Sequence, residues 1–190
     1  MAERLAGAEI AFLAANEGVE QDELTEPWAA VAAAGGRPVL VAPAPGELHT
    51  VHHRAPADTF DVDVTVAEAD PGRFTGLVLP GGVANPDRLR MDDRAVAFTR
   101  SFFTAGAPVA AICHAPWMLI EADVVRDREL TSWPSLRTDL RNAGATWVDR
   151  EVVVDTRGPN TLVTSRKPAD LPAFCAALVE AFARARTAVR

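Results

Sequence analysis

A cysteine followed by a histidine stands where an apolar segment gives way to a proline. Residues 109–112 form a short apolar run, Cys113 and His114 follow it, and Pro116 comes two residues later. A run of this length predicts a buried strand of a parallel sheet, and proline suits the first turn of a helix. A tight strand-to-helix turn would expose the Cys113 side chain, and the helix N-terminus would lower its pKa and favour the thiolate. We therefore predict that Cys113 is a nucleophile, although a free cysteine is more often a buried apolar residue.

Other candidate groups also follow predicted strands. Glu20 comes shortly after an apolar run over 8–15, and Gly81 and Gly82 follow a run over 74–79. Ligands of open parallel sheets bind beyond the carboxyl ends of the strands, so these groups are expected to converge near the cysteine. Each has a plainer alternative: Glu20 as an exposed first-turn residue, and the glycines as a tight turn.

The residue types fit attack of a thiolate on a carbonyl carbon. Backbone N–H groups of Gly82 and His114 could hold the resulting oxyanion. Glu20, if desolvated beside the sulfur, would be partly protonated and could donate to the thiolate. His114 could act as a base, but adjacent side chains rarely face one another, and the imidazole would need an outside group to orient it. Asp87 is the nearest carboxylate in sequence for that role, although the residues alone favour an ordinary surface charge.

Strands and helices that alternate along the chain are needed to hold these groups. We predict strands over 8–15, 38–42, 74–79 and 109–112, helices over 20–34, 92–105, 117–122, 136–143 and 171–186, and a hairpin formed by 151–154 and 161–165. This βαβ rhythm predicts an α/β fold with a mainly parallel sheet.

Two further groups of side chains have a plain interpretation. His49, His52 and His53 lie in a Pro- and Gly-containing segment without helical ligand spacing or a nearby cysteine, so we expect a solvated hairpin and no metal site. Cys175 falls among apolar residues of the last predicted helix, and we expect it in the core.

Composition narrows the class of protein. The chain has 190 residues, of which 48% are hydrophobic and 24% charged, and residues 1–190 are expected to form a single domain. A net charge of −7 argues against a nucleic-acid partner. No apolar run approaches the roughly 20 residues that span a bilayer, and the N-terminal residues have no apolar signal region. We expect a cytoplasmic protein whose two cysteines stay reduced.

Three motifs together resemble the PfpI family, the intracellular-protease-like and general-stress-protein branch of the Parkinsonism-associated deglycase superfamily. They are Ala-Ile-Cys-His-Ala-Pro over 111–116, Val-Leu-Pro-Gly-Gly over 78–82 and Asn-Glu-Gly-Val-Glu-Gln-Asp-Glu-Leu over 16–24. Segments 131–135, 142–149, 151–155 and 165–171 also look like family signatures, so the likeness covers nearly the whole chain.

The resemblance implies a flavodoxin-like three-layer α/β/α sandwich, related to class I glutamine amidotransferases, with Cys113 as the nucleophile. Glu20, the second glutamate of the N-terminal motif, would hydrogen-bond the sulfur, and His114 would be the catalytic histidine. Asp87 matches an acid that reaches the histidine across a subunit interface, which implies a homo-oligomer, at least a dimer. The loop over 155–160 and the segment over 47–58 depart from the family pattern.

The function that the resemblance favours is a glyoxalase- or deglycase-type enzyme acting on methylglyoxal or early glycation adducts without a cofactor. Thiolate attack on the aldehyde, proton movement and hydrolysis would complete the reaction. A cysteine peptidase using the same cysteine, histidine and oxyanion donors is the first alternative. A redox-responsive stress protein that protects damaged proteins, with an oxidisable Cys113, is the second.

Overall fold

A computed structural model describes residues 3–188 and contains twelve strands and six α-helices in that range. The strands are β1 (Glu9–Leu13), β2 (Glu17–Glu20), β3 (Arg37–Ala42), β4 (Glu47–His52), β5 (Ala55–Asp61), β6 (Val64–Thr65), β7 (Gly76–Leu79), β8 (Val109–Ile112), β9 (Glu129–Leu130), β10 (Thr146–Trp147), β11 (Val152–Asp155) and β12 (Leu162–Ser165). The helices are α1 (Gln21–Ala33), α2 (Ala84–Leu89), α3 (Asp93–Thr104), α4 (Pro116–Glu121), α5 (Arg137–Asn142) and α6 (Leu171–Ala188).

The central sheet has seven strands in the order β11-β12-β8-β7-β1-β3-β6. Every neighbouring pair is parallel except β11 and β12, which are antiparallel. Leu79 of β7 pairs with Ala111 of β8. Gly81 and Cys113 each lie two residues further on, so the register brings them to the same level at the carboxyl edge of the sheet.

The strands alternate their side chains between two apolar cores, one on each face of the sheet. Ile10 and Phe12 of β1 pack with α1 and α6, whereas Ala11 and Leu13 pack with α3, α4 and α5. Strands buried on both faces appear in the sequence as continuous apolar runs, because neither face needs polar residues. The predicted three-layer α/β/α sandwich with a mainly parallel sheet is therefore confirmed.

A second, three-stranded sheet was missed by sequence reasoning. β2, predicted as a turn, pairs with β4, and β4 forms the expected hairpin with β5, carrying His49 and His52. This small sheet lies beside the carboxyl edge of the main sheet, because β2 links the end of β1 to the start of α1.

Cys175 is only partly buried on α6, where it packs against the edge of the core. The sequence predicted a fully buried core residue, and the structure shows a partly buried one at the edge of the core.

Within residues 3–188, none of the helices combines the length and the apolar character needed to cross a lipid bilayer.

Candidate active site

Cys113 occupies a sharp turn between β8 and α4. Its φ angle is +64°, a left-handed conformation that costs a non-glycine residue on the order of 1–3 kcal/mol. The turn is held on both sides, because the Cys113 N–H donates to Ser165 O at 3.1 Å and its carbonyl accepts from Trp133 N at 2.8 Å. The side chain is 6% exposed. The predicted strand–turn–helix context of the cysteine is present, but the prediction that the turn exposes its side chain is wrong, because the cysteine is buried.

The carboxyl group beside the sulfur belongs to Glu23, and the prediction that Glu20 occupies this place is wrong. Glu23 lies in the first turn of α1, is fully buried and is within hydrogen-bonding reach of the Cys113 thiol. A Cβ atom built on Gly81 would lie 2.3 Å from Glu23 Oε2 and 2.6 Å from Cys113 Cβ. Only glycine leaves room at position 81 for the thiol and the carboxyl group to approach each other.

Glu20 ends β2 and is the N-cap residue of α1, and its side chain turns toward the β4–β5 hairpin. There its Oε2 accepts a hydrogen bond from the His53 backbone N–H at 2.9 Å. The imidazoles of His52 and His53 lie 3.9 and 3.8 Å from its carboxylate oxygens. Glu20 therefore anchors the tip of the hairpin rather than facing the sulfur.

Three backbone N–H groups face the buried pair. Those of Gly82 and His114 stabilise the charged form of the Cys113 sulfur, and those of Gly81 and Gly82 stabilise the charged form of Glu23. Neither carboxyl oxygen of Glu23 makes a hydrogen bond of regular geometry, so these N–H groups only partly replace the water that burial removes. The backbone groups predicted from the sequence as oxyanion donors thus lie beside the buried pair. They are the N–H groups of Gly81, Gly82 and His114.

The imidazole of His114 faces the sulfur of its own neighbour. Nδ1 lies 3.1 Å from Cys113 Sγ, a contact between adjacent side chains that the positive φ of Cys113 permits. On the far side, Nε2 lies 3.5 Å from Ser135 Oγ, and the ring stacks on Trp133 at a centroid distance of 5.8 Å. Ser135 and Trp133, which sequence reasoning missed as site residues, orient the ring within this chain.

Asp87 lies apart from the histidine of its own chain. It is exposed in α2 and forms an ion pair with Arg90 at 2.8 Å. The guanidinium of Arg90 lies 4.9 Å from the centre of the Trp117 ring, and that ring in turn contacts His114 at 5.3 Å between centroids. Asp87 is therefore two side chains away from the imidazole in one protomer, and its action across a subunit interface stays a prediction.

Burial sets the protonation of the site. It raises the pKa of Glu23 to about 8 and lowers the pKa of His114 to about 4, so at pH 7 the acid is protonated and the imidazole is neutral. Burial also raises the pKa of the Cys113 thiol, and a negative charge on Glu23 raises it further. The predicted lowering of the cysteine pKa is wrong for this chain, because loss of solvent outweighs the helix N-terminus.

The sulfur and the carboxyl group titrate as a pair, since a charge on one opposes a charge on the other. The first proton leaves the pair near pH 8, and the second is held far above it. After the first loss, the remaining proton resides mainly on the Cys113 sulfur, because burial and the charge of Glu23 both oppose a thiolate. Among the described residues, no group of three or more His, Cys, Asp or Glu side chains is placed to hold a metal ion.

Comparisons with known proteins agree with the motifs of the sequence. The model of the DJ-1/PfpI family matches residues 8–181. The chain is 44% identical over 165 residues to protein/nucleic acid deglycase 2 of Escherichia coli (strain K12), covering 87% of this chain and 92% of that protein. It is 42% identical over 155 residues to general stress protein 18 of Bacillus subtilis (strain 168), covering 82% of this chain and 87% of that protein.

A solved structure gives the same result for the fold. A two-domain protein from Anabaena variabilis, with DJ-1/ThiJ/PfpI-like and ferritin-like domains, superimposes with a TM-score of 0.81 at 31% identity. The match covers 91% of this chain and 47% of that larger one. The flavodoxin-like fold and the family expected from the motifs are both confirmed: the chain belongs to the DJ-1/PfpI family.

Proposed function

We propose that the protein is a stress-protective, cysteine-dependent enzyme that acts on methylglyoxal or early glycation adducts. The observation that carries the proposal is the buried Cys113–Glu23 pair, in which a carboxyl group lies within hydrogen-bonding reach of the thiol, beside two N–H donors. The relative from E. coli is named a deglycase and the relative from B. subtilis a general stress protein. The proposal names Cys113 as the nucleophile and adds Glu23 to His114 as the proton-handling groups.

The first step forms a carbon–sulfur bond. In the singly deprotonated pair, the Glu23 carboxylate takes the proton of the Cys113 thiol as the sulfur attacks the aldehyde carbon. The C=O π electrons move to oxygen, which the N–H groups of Gly82 and His114 hold. Glu23 then gives its proton to that oxygen, so the product is a neutral hemithioacetal and a carboxylate.

The second stage moves a proton and releases the product. The Glu23 carboxylate removes the proton from the carbon bonded to sulfur, giving an enediolate, and returns it to the neighbouring carbon. The hydroxyl proton passes from the former aldehyde oxygen to the former ketone oxygen, which gives a thioester of lactate. Water then adds to the thioester carbon, and neutral His114 accepts the proton of that water through Nδ1. The C–S bond then breaks and His114 gives its proton to the leaving sulfur, which restores the Cys113 thiol and releases lactic acid, so methylglyoxal plus water is converted to lactic acid.

The proposed reaction uses only side chains and backbone N–H groups of the protein, and we expect no cofactor. We expect a cytoplasmic location, where the free thiol stays reduced, and a homo-oligomer in which the partner's Asp87 position approaches His114. The substrate is a small carbonyl compound, and neither a nucleic acid nor a membrane is an expected partner.

A cysteine peptidase is the alternative that the 3.1 Å contact between Cys113 Sγ and His114 Nδ1 favours. The same two N–H donors would serve an acyl transfer. A buried acid that is protonated at pH 7 is not required for that reaction, which is why the carbonyl reaction is preferred. A redox role, the further alternative, requires Cys113 to form a sulfenic or sulfinic acid under mild peroxide.

Turnover of two substrates on one preparation tests the proposal. We expect lactate from methylglyoxal, loss of at least about 100-fold in Cys113→Ser, and unchanged turnover in Cys175→Ser, the matched control on α6. Fluorescent casein is incubated in parallel. Casein cleavage that requires Cys113, without lactate formation, would replace the proposal with the peptidase, and a peroxide adduct without either turnover would replace it with the redox role.

A further inference from the structure

Asn85 is a buried polar side chain that the mechanism above does not use. It lies in the first turn of α2 and is 1% exposed. Its Oδ1 accepts a hydrogen bond from Ala15 N at 2.7 Å. Its Nδ2 donates to Pro80 O at 2.9 Å and to Gly81 O at 3.0 Å. One side chain thus ties the end of β1 to the turn that follows β7.

The Gly81 carbonyl belongs to the same planar peptide group as the Gly82 N–H. In a trans peptide the two point in opposite directions, so fixing the carbonyl fixes the direction of the N–H. The carbonyl is held from two sides, by Asn85 Nδ2 and by the Glu20 N–H at 3.3 Å. The N–H of Gly82 then faces the Cys113 sulfur and Glu23.

This peptide group needs to be held, because glycine stands on both sides of it. Without a Cβ atom on either residue, rotation of the peptide plane meets little steric resistance. Gly82 has a φ of +84°, and a Cβ atom there would lie 2.3 Å from Gly18 O, so substitution by a stiffer residue is blocked. Orientation of the plane is therefore left to hydrogen bonds at the Gly81 carbonyl.

We infer that Asn85 is a positioning residue that keeps the Gly81–Gly82 peptide turned so that the Gly82 N–H faces the sulfur and the oxyanion. Without it, the peptide plane rotates part of the time, and the sulfur and the oxyanion lose one of their two donors. The effect on turnover rests on the proposed function. The effect on the thiol does not, because it follows from the loss of a donor to the thiolate.

The test compares Asn85→Ser with Asn160→Ser. Asn160 is also buried and also donates to a backbone carbonyl, Ala107 O at 2.7 Å, but this carbonyl precedes β8, at the opposite end of that strand from Cys113. The first measurement is the rate of Cys113 alkylation by iodoacetamide from pH 6 to 10, followed by mass spectrometry of the cysteine peptides. The second is kcat and KM for methylglyoxal.

For Asn85→Ser we expect the alkylation profile to move up by about one pH unit, because the thiolate loses a donor. We expect kcat to fall about 100-fold with KM changed less than about threefold, since the donor acts mainly on the oxyanion. Asn160→Ser should change neither measurement at equal folded fraction. Equal behaviour of the two variants, or an unshifted profile in Asn85→Ser, would overturn the inference.

A conservative variant gives an independent readout. In Asn85→Asp the introduced carboxyl group can donate to the Gly81 carbonyl only when it is protonated, so relative activity should recover as the pH falls. Absence of any recovery at low pH in folded protein would count against the inference. If wild-type protein produces no lactate but the alkylation profile still shifts in Asn85→Ser, the proposed function fails and the positioning role stands.

Discussion

At the scale of single residues, the chemistry of the site depends on where one proton resides. Glu23 and Cys113 are both buried, and burial together with the charge of Glu23 raises the pKa of the thiol. The hydrogen bond with the thiol offsets only part of the rise that burial causes in the pKa of Glu23. An isolated thiol in this position would stay protonated, because burial alone raises its pKa. Once Glu23 has lost its own proton near pH 8, its carboxylate can take the proton of the thiol, and in the proposed mechanism this transfer makes the sulfur a nucleophile.

Glu23→Gln separates the stability of the protein from its activity. The folded state binds the Glu23 proton more tightly than the unfolded state, so the stability that this proton contributes is complete below pH 4.5 and is lost as the pH rises toward 8. The amide does not titrate, and we expect the variant to be more stable than wild type by roughly 4 kcal/mol near pH 8. Urea unfolding at pH 4 and pH 8 measures this difference.

The same variant should lose activity while it gains stability. Removal of the proton-accepting carboxylate is expected to lower methylglyoxal turnover at least about 100-fold, and the inflection near pH 8 in Cys113 alkylation should disappear. Glu20→Gln is the control, because its amide oxygen can still accept from the His53 N–H. Equal losses in the two variants would contradict the assignment of Glu23.

At the scale of elements, the ends of β11 and β12 are held by a buried ion pair. Arg128 Nε donates to Asp155 Oδ1 at 2.7 Å, and its Nη2 donates to Asn160 O at 2.9 Å. A Cβ atom on Gly158 would lie 2.0 Å from Arg128 Nη1, so the guanidinium fills the interior of the loop. The loop over 155–160, noted as longer than usual for the family, is thus a packed structure at the sheet edge.

Arg128→Met is expected to destabilise the protein by about 3–5 kcal/mol, because it leaves the fully buried Asp155 carboxylate without its main counter-charge. Arg150→Met is the control, since Arg150 is exposed and pairs with Glu129 on the surface. That change should stay within about 0.5 kcal/mol. Chemical unfolding at pH 7 measures both, and similar values for the two would show that the buried pair contributes no more than a surface pair.

At the scale of the whole molecule, the mouth of the site carries apolar side chains that one protomer leaves uncovered. Val83 follows the glycine turn and is 57% exposed, and Trp133, which stacks on His114, is 39% exposed. Asp87 points outward from the neighbouring α2. This arrangement supports the expectation that a second copy of the chain completes the site.

Mixing two defective variants tests whether Asp87 acts on the histidine of a partner. Co-expressed Cys113→Ser and Asp87→Asn chains would form mixed dimers in which one site has an intact cysteine and an intact partner aspartate. Random pairing should restore about a quarter of wild-type turnover, above the residual activity of Asp87→Asn alone. Activity no greater than the average of the separate variants would place Asp87 outside the partner's site.

Local pattern was enough to predict much of the fold. Continuous apolar runs identified β1, β3, β7 and β8, because strands buried on both faces leave no polar alternation. The short β2 strand was missed, since Glu17–Glu20 contains a glycine and two acids and pairs only with the distant β4. Pairing between segments far apart in sequence leaves no periodic signal in either segment.

By itself, the sequence determined that Cys113 stands on a strand-to-helix turn, that glycines follow the neighbouring strand, and that the family is DJ-1/PfpI. Only the tertiary structure decided which glutamate meets the sulfur. Glu20 is the N-cap residue and keeps an extended backbone, with φ −67° and ψ 118°, so it stays outside the helix on the hairpin side, whereas Glu23 lies in the first turn of α1 and is buried. Burial, which raises the pKa of the thiol where the sequence predicted a lowered one, likewise arises only once distant strands and helices have excluded water.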